Sequence, residues 1–250
     1  MLPPLLSILS RHSGSRLLLP RSGSLPALRL TGRWLVLLLV LLIPAVPLFS
    51  GNDVLLDEKT IVAMEQRYGP SARTRLLAWQ ELMRTTTGSH RDKLERVNRF
   101  FNALPFVDDK LHWGEDDYWA TPVEFLASNG GDCEDFAIAK YLTLLQLGIP
   151  DSQLALTYVK ALRLNQAHMV LTYYPTPGAE PLVLDNLIPA IRWSSQRTDL
   201  LPVYSLNGTG LWLAKQRGKG KRVGNSDRLS RWQDMLQRLP KELQSSEESP

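Results

Sequence analysis

The only cysteine of the chain, Cys133, comes just after Gly130 and Gly131, at the start of a predicted helix. A helix N-terminus carries unpaired N–H groups and the positive end of the helix dipole, which stabilise a thiolate and lower the thiol pKa. The same N–H groups can stabilise an oxyanion during acyl transfer. The adjacent acids Asp132 and Glu134 act in the opposite direction, because their charge raises the thiol pKa unless a cation or a histidine compensates.

A thiolate nucleophile needs a base and a group that orients the base. His168 opens one predicted strand, and Asp185 lies on the next one along the chain. A hairpin that turns through residues 175–181 would bring the two side chains together. Asn186 is the alternative orienting group. The other histidines lie in the N-terminal leader, at the start of a helix and in an acidic loop: His12, His90 and His112.

Each of the three residues also has a purely structural interpretation. A lone cysteine can be a small buried apolar side chain, although the acids on either side of Cys133 argue against an apolar site. His168 alone could be a packed sheet residue, and Asp185 could simply begin a turn. The order of a cysteine on a helix, a histidine on one strand and an aspartate on the next predicts a catalytic triad.

The hydrophobic pattern predicts helices first and strands afterwards. Helices are predicted at residues 57–68, 71–83, 90–103 and 134–147, with a last one at 232–239. Strands, rich in β-branched and aromatic residues, are predicted at residues 154–159, 168–174, 182–187, 203–206 and 211–214. This order predicts an α+β fold.

The basic charge of the chain comes mostly from its first 50 residues. The 250-residue sequence has 29 Lys and Arg against 25 Asp and Glu, a net charge of +4. The first 50 residues contain five arginines and no acid, so 24 basic and 25 acidic residues remain in the rest of the chain. A nearly neutral remainder gives no reason to expect a nucleic-acid partner.

Residues 34–49 form an apolar run of 16 residues after the arginines. This run is longer than a usual signal core and shorter than a comfortable bilayer span. We therefore expect residues 1–50 to be a signal peptide or an N-terminal membrane anchor, with the folded part outside the cytoplasm. Residues 51–214 are predicted to form one domain, and residues 215–250 a basic loop, a C-terminal helix and a flexible tail. A single cysteine allows no internal disulfide in this exported chain.

The run DDYWATPVEFLASNGGDCEDFAIAKYLTLLQLGIP, followed by AHMVLTYY and LVLDNL, resembles the bacterial transglutaminase-like cysteine proteinase family. The likeness covers residues 54–212 in overall order and is tightest from residue 117 to residue 150. It implies a papain/transglutaminase-like core, with N-terminal helices and a cysteine-bearing helix packed on an antiparallel sheet. By this resemblance Cys133, His168 and Asp185 are nucleophile, base and orienting acid.

The resemblance also implies a calcium cofactor. Enzymes of this type are calcium-dependent, and the carboxylates that flank their cysteine match Asp132 and Glu134 here. Calcium takes six to eight oxygen ligands, which two carboxylates do not provide. Asp116 and Asp117, in the preceding loop, are therefore further candidate ligands. A bound cation would offset the negative charges around Cys133.

A substrate and a partner follow from the resemblance alone. It implies a periplasmic endopeptidase that cleaves near the N-terminus of a large repeat adhesin, at a site containing an Ala-Ala pair, and so promotes biofilm dispersal. It also implies an inhibitory partner, an inner-membrane receptor that binds cyclic di-GMP in the cytoplasm. The sequence shows no nucleotide-binding motif, so such control would act through that partner.

Two other functions fit the same residues. A transglutaminase or amidase would form the same thioester and differ only in the acceptor, which amine incorporation would reveal. A non-catalytic interaction module would keep the fold as a binding surface. The complete set of Cys133, His168 and Asp185 argues against that module, and an ordinary thiol reactivity would favour it.

Overall fold

The computed structural model describes residues 56–213 and 220–240. The predicted leader over residues 1–50 lies outside the described residues, as do most of the predicted basic loop and the predicted tail. Within the described residues, no helix is both long enough and apolar enough to cross a membrane.

Three helices form the N-terminal part of the fold: α1 (Glu58–Tyr68), α2 (Pro70–Thr85) and α3 (His90–Phe101). The side chain of Asp57 caps α1 by accepting a hydrogen bond from the Thr60 N–H at 2.7 Å. Ser89 and Asp92 cap α3 reciprocally. These caps satisfy N–H groups that have no partner within a helix, so they fix where each helix begins. Helix α3 ends two residues earlier than predicted.

The acidic stretch that follows contains two short helices, α4 (Asp109–His112) and α5 (Pro122–Ser128). Neither helix was predicted, because four and seven residues are too few for a helical period to be recognised. The signals for α5 are local ones. Thr121 and Glu124 form a capping box, Pro122 is the first helical residue, and Asn129 ends the helix at φ 67°.

The central helix is α6 (Cys133–Gln146), which the sequence predicted from residue 134. Every residue from Asp135 to Leu144 is buried, as in a helix that packs on all sides. Helix α6 contacts α3 and α5 on one side and β1 and β2 on the other. The N-terminus of α6 is thereby held next to strand β2.

The strands are β1 (Leu154–Ala161), β2 (Gln166–Tyr173), β3 (Leu182–Leu184), β4 (Arg192–Trp193), β5 (Leu200–Leu206), β6 (Leu211–Leu213) and β7 (Arg222–Gly224). They form one antiparallel sheet in the order β4-β3-β2-β1-β5-β6-β7. The predicted domain boundary at residue 214 falls between β6 and β7, which pair in this sheet. Helix α7 (Ser230–Arg238) follows.

Within residues 56–213 and 220–240, the helices that form the main core with the sheet pack on one of its faces. The main core lies between α6 and the side chains that strands β1 to β3 and β5 direct toward it, such as Leu156, Leu171 and Leu184. The other face carries a small apolar cluster of Val159, Val170 and Val183. The α+β prediction is confirmed.

Candidate active site

Cys133 is the first residue of α6, and the two glycines before it are sterically required. A Cβ on Gly131 would lie 2.1 Å from Oδ2 of Asp135, and Gly130 has a φ of 142° that disfavours other residues. The half-buried thiol donates a hydrogen bond to the Glu134 carboxylate at 2.8 Å. Burial, followed by the charges of Glu134 and Asp132, raises the pKa of the Cys133 thiol.

Strand β2 lies next to the sulfur of Cys133. The backbone N–H of Met169 donates to this sulfur and acts to lower the thiol pKa, against the effect of the carboxylates. His168, the preceding residue of β2, lines the same cleft as Cys133 and is only 3% exposed. The structure therefore brings the predicted nucleophile and the predicted base to one site.

His168 and Asp185 are in direct contact, as the sequence predicted. Nε2 of His168 lies 2.8 Å from Oδ1 of Asp185. A carboxylate only accepts hydrogen bonds, so Nε2 carries the proton and Nδ1 is left as the acceptor for a thiol proton. Asp185 lies one residue beyond β3, and the Leu187 N–H turns back to its Oδ1 at 3.0 Å. That turn ends the strand earlier than predicted.

The carboxylate of Asp185 is held in its ionised form. Burial acts to raise its pKa, but the hydrogen bond and charge of His168, the Leu187 N–H and the charge of Arg197 outweigh burial and lower the pKa to about 2. Nη2 of Arg197 lies 2.7 Å from Oδ2 of Asp185. The Asn102 side chain also donates to the Asp185 backbone carbonyl at 2.8 Å. An ionised carboxylate in this position fixes the tautomer of His168.

The site opens into a cleft of about 560 Å³. One wall is acidic and includes Asp116, Asp117, Asp132 and Glu134. The other parts of the lining include the stacked rings of Tyr158 and Tyr204, whose centroids are 5.0 Å apart, and the α7 region with Arg231. Open space beside a thiol and an imidazole, lined by aromatic and charged groups, leaves room for a substrate next to the two groups.

Five carboxylates gather beside Cys133 in three overlapping groups: Asp109, Asp117, Asp132, Glu134 and Asp135. Within each group the candidate ligand atoms lie within 4.8 Å of one another. Oδ1 of Asp109 and Oδ1 of Asp132 are buried, and neither has a hydrogen-bond partner among the residues that the structure describes. Buried acceptor oxygens without a donor are costly, and a cation with oxygen ligands would satisfy them. The residues present therefore fit a calcium ion.

The electrostatics of this carboxylate cluster support the same conclusion. Burial and then the charge of Glu134 raise the pKa of Asp132 to about 10. Burial raises the pKa of Asp109 to about 6, and burial followed by the charge of Glu134 raises that of Asp117. Buried carboxylates this close together hold protons unless a cation neutralises them. The cluster is therefore built to bind positive charge.

The structure separates Asp116 from the other predicted ligands. Asp116 lines the cleft, but its exposed carboxylate pairs with Lys110 at 2.8 Å and joins none of the carboxylate groups. Oδ1 of Asn186, the alternative orienting group, has no hydrogen-bond partner in the described part of the chain, and Nε2 of His168 is bound by Asp185. His90 and His112 bind Tyr173 and Ser128, away from the cleft.

Four contributors to the site were not predicted. Asp109 and Asp135 complete the carboxylate cluster, Met169 supplies a backbone N–H to the sulfur, and Arg197 holds Asp185. Asp109 belonged to the acidic stretch that the sequence singled out, but nothing in its local pattern set it apart from Asp108. No sequence signal marked Arg197.

A cysteine at a helix N-terminus that shares a cleft with a sheet histidine defines a class of enzymes that transfer acyl groups through a thiol. The chain belongs to the bacterial transglutaminase-like cysteine proteinase (BTLCP) family, whose profile matches residues 74–218. That range contains Cys133, His168 and Asp185. It confirms the predicted family, and membership supports a cysteine peptidase.

Solved structures of LapG from Legionella pneumophila are similar to this chain. One LapG structure is 45% identical, with a TM-score of 0.63, and the match covers 74% of this chain and 98% of LapG. A calcium-bound LapG has 45% identity and a TM-score of 0.63, covering 74% and 100%. An EGTA-treated LapG has 46% identity and a TM-score of 0.64, covering 74% and 98%. No match was found among curated proteins. The transglutaminase-like fold is confirmed.

Proposed function

We propose that this chain is a calcium-dependent cysteine endopeptidase that acts through Cys133, His168 and Asp185. The observation that carries the proposal is the cleft in which the Cys133 thiol and His168 meet, with His168 bound through Nε2 to an ionised Asp185. Membership of a cysteine proteinase family supports peptide hydrolysis as the reaction.

The chemistry follows from the roles of these groups. Nδ1 of His168 takes the proton from the Cys133 sulfur, and the thiolate attacks the scissile carbonyl carbon. The carbonyl oxygen becomes an oxyanion, which the N–H groups at the start of α6 stabilise. The imidazolium gives its proton to the leaving amine, and a thioester remains on Cys133. A water molecule, deprotonated by His168, hydrolyses the thioester and releases the acid.

Calcium would be held by the carboxylate cluster. The grouping of the carboxylate oxygens favours four residues as its ligands: Asp109, Asp117, Asp132 and Glu134. When bound, calcium supplies positive charge that lowers the pKa values of the surrounding carboxylates and of the thiol. Glu134 accepts a hydrogen bond from the Cys133 thiol, so a cation held by Glu134 would lie close to the nucleophile. The similar LapG has solved structures in calcium-bound and EGTA-treated states, which supports this assignment.

The substrate, location and partner are proposed on the family likeness. We expect the enzyme to act in the periplasm, exported by its leader, and to cleave near the N-terminus of a large repeat adhesin. Release of the adhesin would promote biofilm dispersal. An inner-membrane cyclic di-GMP receptor would bind the protease and inhibit it.

The proposal is tested by incubating the full chain with an N-terminal fragment of the large repeat adhesin from the same organism. The reaction is run with calcium, with a chelator, and with Cys133→Ala, and the products are identified by mass spectrometry. We expect cleavage only when both calcium and Cys133 are present. Asp116→Asn is the matched control, since its carboxylate lines the same cleft outside the cluster, and it should cleave normally.

Three other results would change the assignment. Cleavage by Cys133→Ala would exclude the proposed nucleophile. Incorporation of an added amine in place of hydrolysis would indicate a transferase. An intact fragment together with an ordinary alkylation rate at Cys133 would indicate a non-catalytic interaction module.

A further inference from the structure

Arg197 is a buried cation bound to the acid of the proposed triad. Only 3% of the residue is exposed, and Asp185 is 1% exposed. Nη2 of Arg197 donates to Oδ2 of Asp185 at 2.7 Å. The same guanidinium binds Asp199 through two donors, Nε at 3.0 Å and Nη2 at 2.8 Å. The four side chains of Asp199, Arg197, Asp185 and His168 thus form a continuous chain of hydrogen bonds that ends in the cleft.

The two oxygens of Asp185 have separate tasks in this chain. Oδ1 accepts from Nε2 of His168 and from the Leu187 N–H, and Oδ2 accepts from Arg197. Because the carboxylate is excluded from solvent, Arg197 is the only side chain that solvates Oδ2 among the described residues. An unpaired buried carboxylate is strongly disfavoured and takes up a proton.

We propose that Arg197 is a positioning residue of the active site, which keeps Asp185 in the form that holds His168 in its Nε2–H tautomer. The inference rests on the proposed triad. If Asp185 gained a proton, its O–H could donate to Nε2 of His168. The imidazole would then carry its own proton on Nδ1 and would have no lone pair to accept the Cys133 proton. Arg197 therefore acts through Asp185 and His168, without touching the substrate.

Other charges face Asp185 but do not replace Arg197. Lys140 of α6 lies close enough to Asp185 to interact with it electrostatically. Its Nζ lies over the Phe136 ring, 5.7 Å from the ring centroid. Within the described residues, Lys140 makes no hydrogen bond to Asp185. Asp199 is an anion and opposes ionisation of Asp185. His168 is the group to be oriented. Of the described side chains, Arg197 is the one that combines positive charge with a hydrogen bond to Oδ2.

A merely structural role predicts different results. Arg197 also binds Asp199, two residues further along the segment before β5, so its loss could destabilise that segment without affecting the tautomer. Two measurements separate these roles. The first is long-range ¹H–¹⁵N NMR of His168, which identifies the protonated ring nitrogen without any substrate. The second is the division of the kinetic effect between kcat and KM.

The experiment compares Arg197→Met with Arg197→Lys in the full, calcium-loaded chain, and uses Arg192→Gln as an exposed control on β4. For Arg197→Met we expect His168 to leave the Nε2–H tautomer and kcat to fall about 10²-fold with KM within about twofold, because only alignment of the base is lost. Arg197→Lys restores a charge but not the fork that binds both carboxylates, so it should keep the tautomer and lose about tenfold in kcat. The control should match the wild type.

A folded Arg197→Met variant with His168 still protonated on Nε2 and kcat within twofold of the wild type would overturn the inference. If Arg197→Met does not fold, Arg197→Lys decides: wild-type kcat in that variant would also overturn it. Failure of the proposed function gives a different result from failure of this inference. The wild type would then not cleave the adhesin fragment, while NMR could still compare the His168 tautomer between the wild type and the variants.

Discussion

The Cys133 thiol donates a hydrogen bond to the carboxylate of Glu134, its neighbour in the first turn of α6, across 2.8 Å. The proposed nucleophile thus shares its proton with a proposed calcium ligand. In the metal-free protein this contact competes with transfer of the proton to His168. Two adjacent residues, Cys133 and Glu134, therefore couple calcium binding to the reactivity of the thiol.

The first prediction concerns the ligands. Asp132→Asn removes a charge from the carboxylate cluster and should weaken calcium binding by at least 10–100-fold. Asp116→Asn, which changes an exposed carboxylate paired with Lys110, should leave the affinity within twofold. Isothermal titration calorimetry of the calcium-depleted chain measures both. Equal affinities in the two variants would remove Asp132 from the ligand set.

The second prediction concerns pH. Without metal, the pKa of Asp132 is raised to about 10 and that of Asp109 to about 6, so the folded state holds protons that the unfolded state has released. Stability from these groups is complete below pH 4 and is lost as pH rises, through about pH 6 for Asp109 and up to about pH 10 for Asp132. Calcium binds the ionised cluster and reverses this loss. The increase in Tm on adding calcium should therefore grow from pH 5 to pH 9, as scanning calorimetry with calcium or EGTA can measure. A constant increase would contradict the carboxylate site.

The third prediction concerns the orienting acid. In Asp185→Asn the amide oxygen must face Arg197, which can only donate, so the NH₂ group faces Nε2 of His168 and forces the unproductive tautomer. We expect kcat to fall by about 10³–10⁴-fold, as expected for a wrong tautomer. Asn186→Ala should have no such effect, and kinetics of adhesin cleavage compare the two. If Asn186→Ala lost activity and Asp185→Asn did not, Asn186 and not Asp185 would be the group that orients His168.

The same geometry predicts a non-additive pair. If Arg197→Met is added to Asp185→Asn, the amide oxygen is free to turn to His168 and Leu187, and kcat should rise above that of the single Asp185→Asn variant. Additive losses in this double-mutant cycle would contradict the hydrogen-bond pattern around Asp185.

The fourth prediction concerns Lys140, which is buried in α6. Burial lowers the pKa of Lys140 to about 7, although the charge of Asp185 opposes this shift. The unfolded chain thus binds an extra proton between about pH 7 and pH 10.5, and stability from this group increases with pH in that window. Lys140→Met should raise the free energy of unfolding at pH 7 by about 1–4 kcal/mol, with a smaller gain at pH 10.

Urea denaturation at the two pH values measures the effect, with Lys160→Met as a control on the exposed side of β1. A destabilised Lys140→Met variant would show that the contacts of the ammonium group outweigh the cost of its burial.

Much of the site is encoded locally. The two glycines and the apolar pattern after Cys133 predict a helix over residues 134–147 with the cysteine at its start, and the structure places α6 at Cys133–Gln146. The β-branched and aromatic run around His168 predicts a strand in the same way. The short helices α4 and α5 and the short strands β4 and β7 escaped prediction, because elements of two to seven residues show no clear period.

The sequence by itself determined the helix that carries Cys133, the strand that carries His168, their order along the chain and the resemblance to a protease family. These features depend on contacts between residues a few positions apart, which local patterns record. Only the tertiary structure decided that Asp109 joins Asp132 and that Arg197 reaches Asp185. Both are contacts between charged groups that lie far apart in the sequence. The packing of α6 on the sheet sets the path of the chain. That path determines which of many similar charged side chains are buried next to each other.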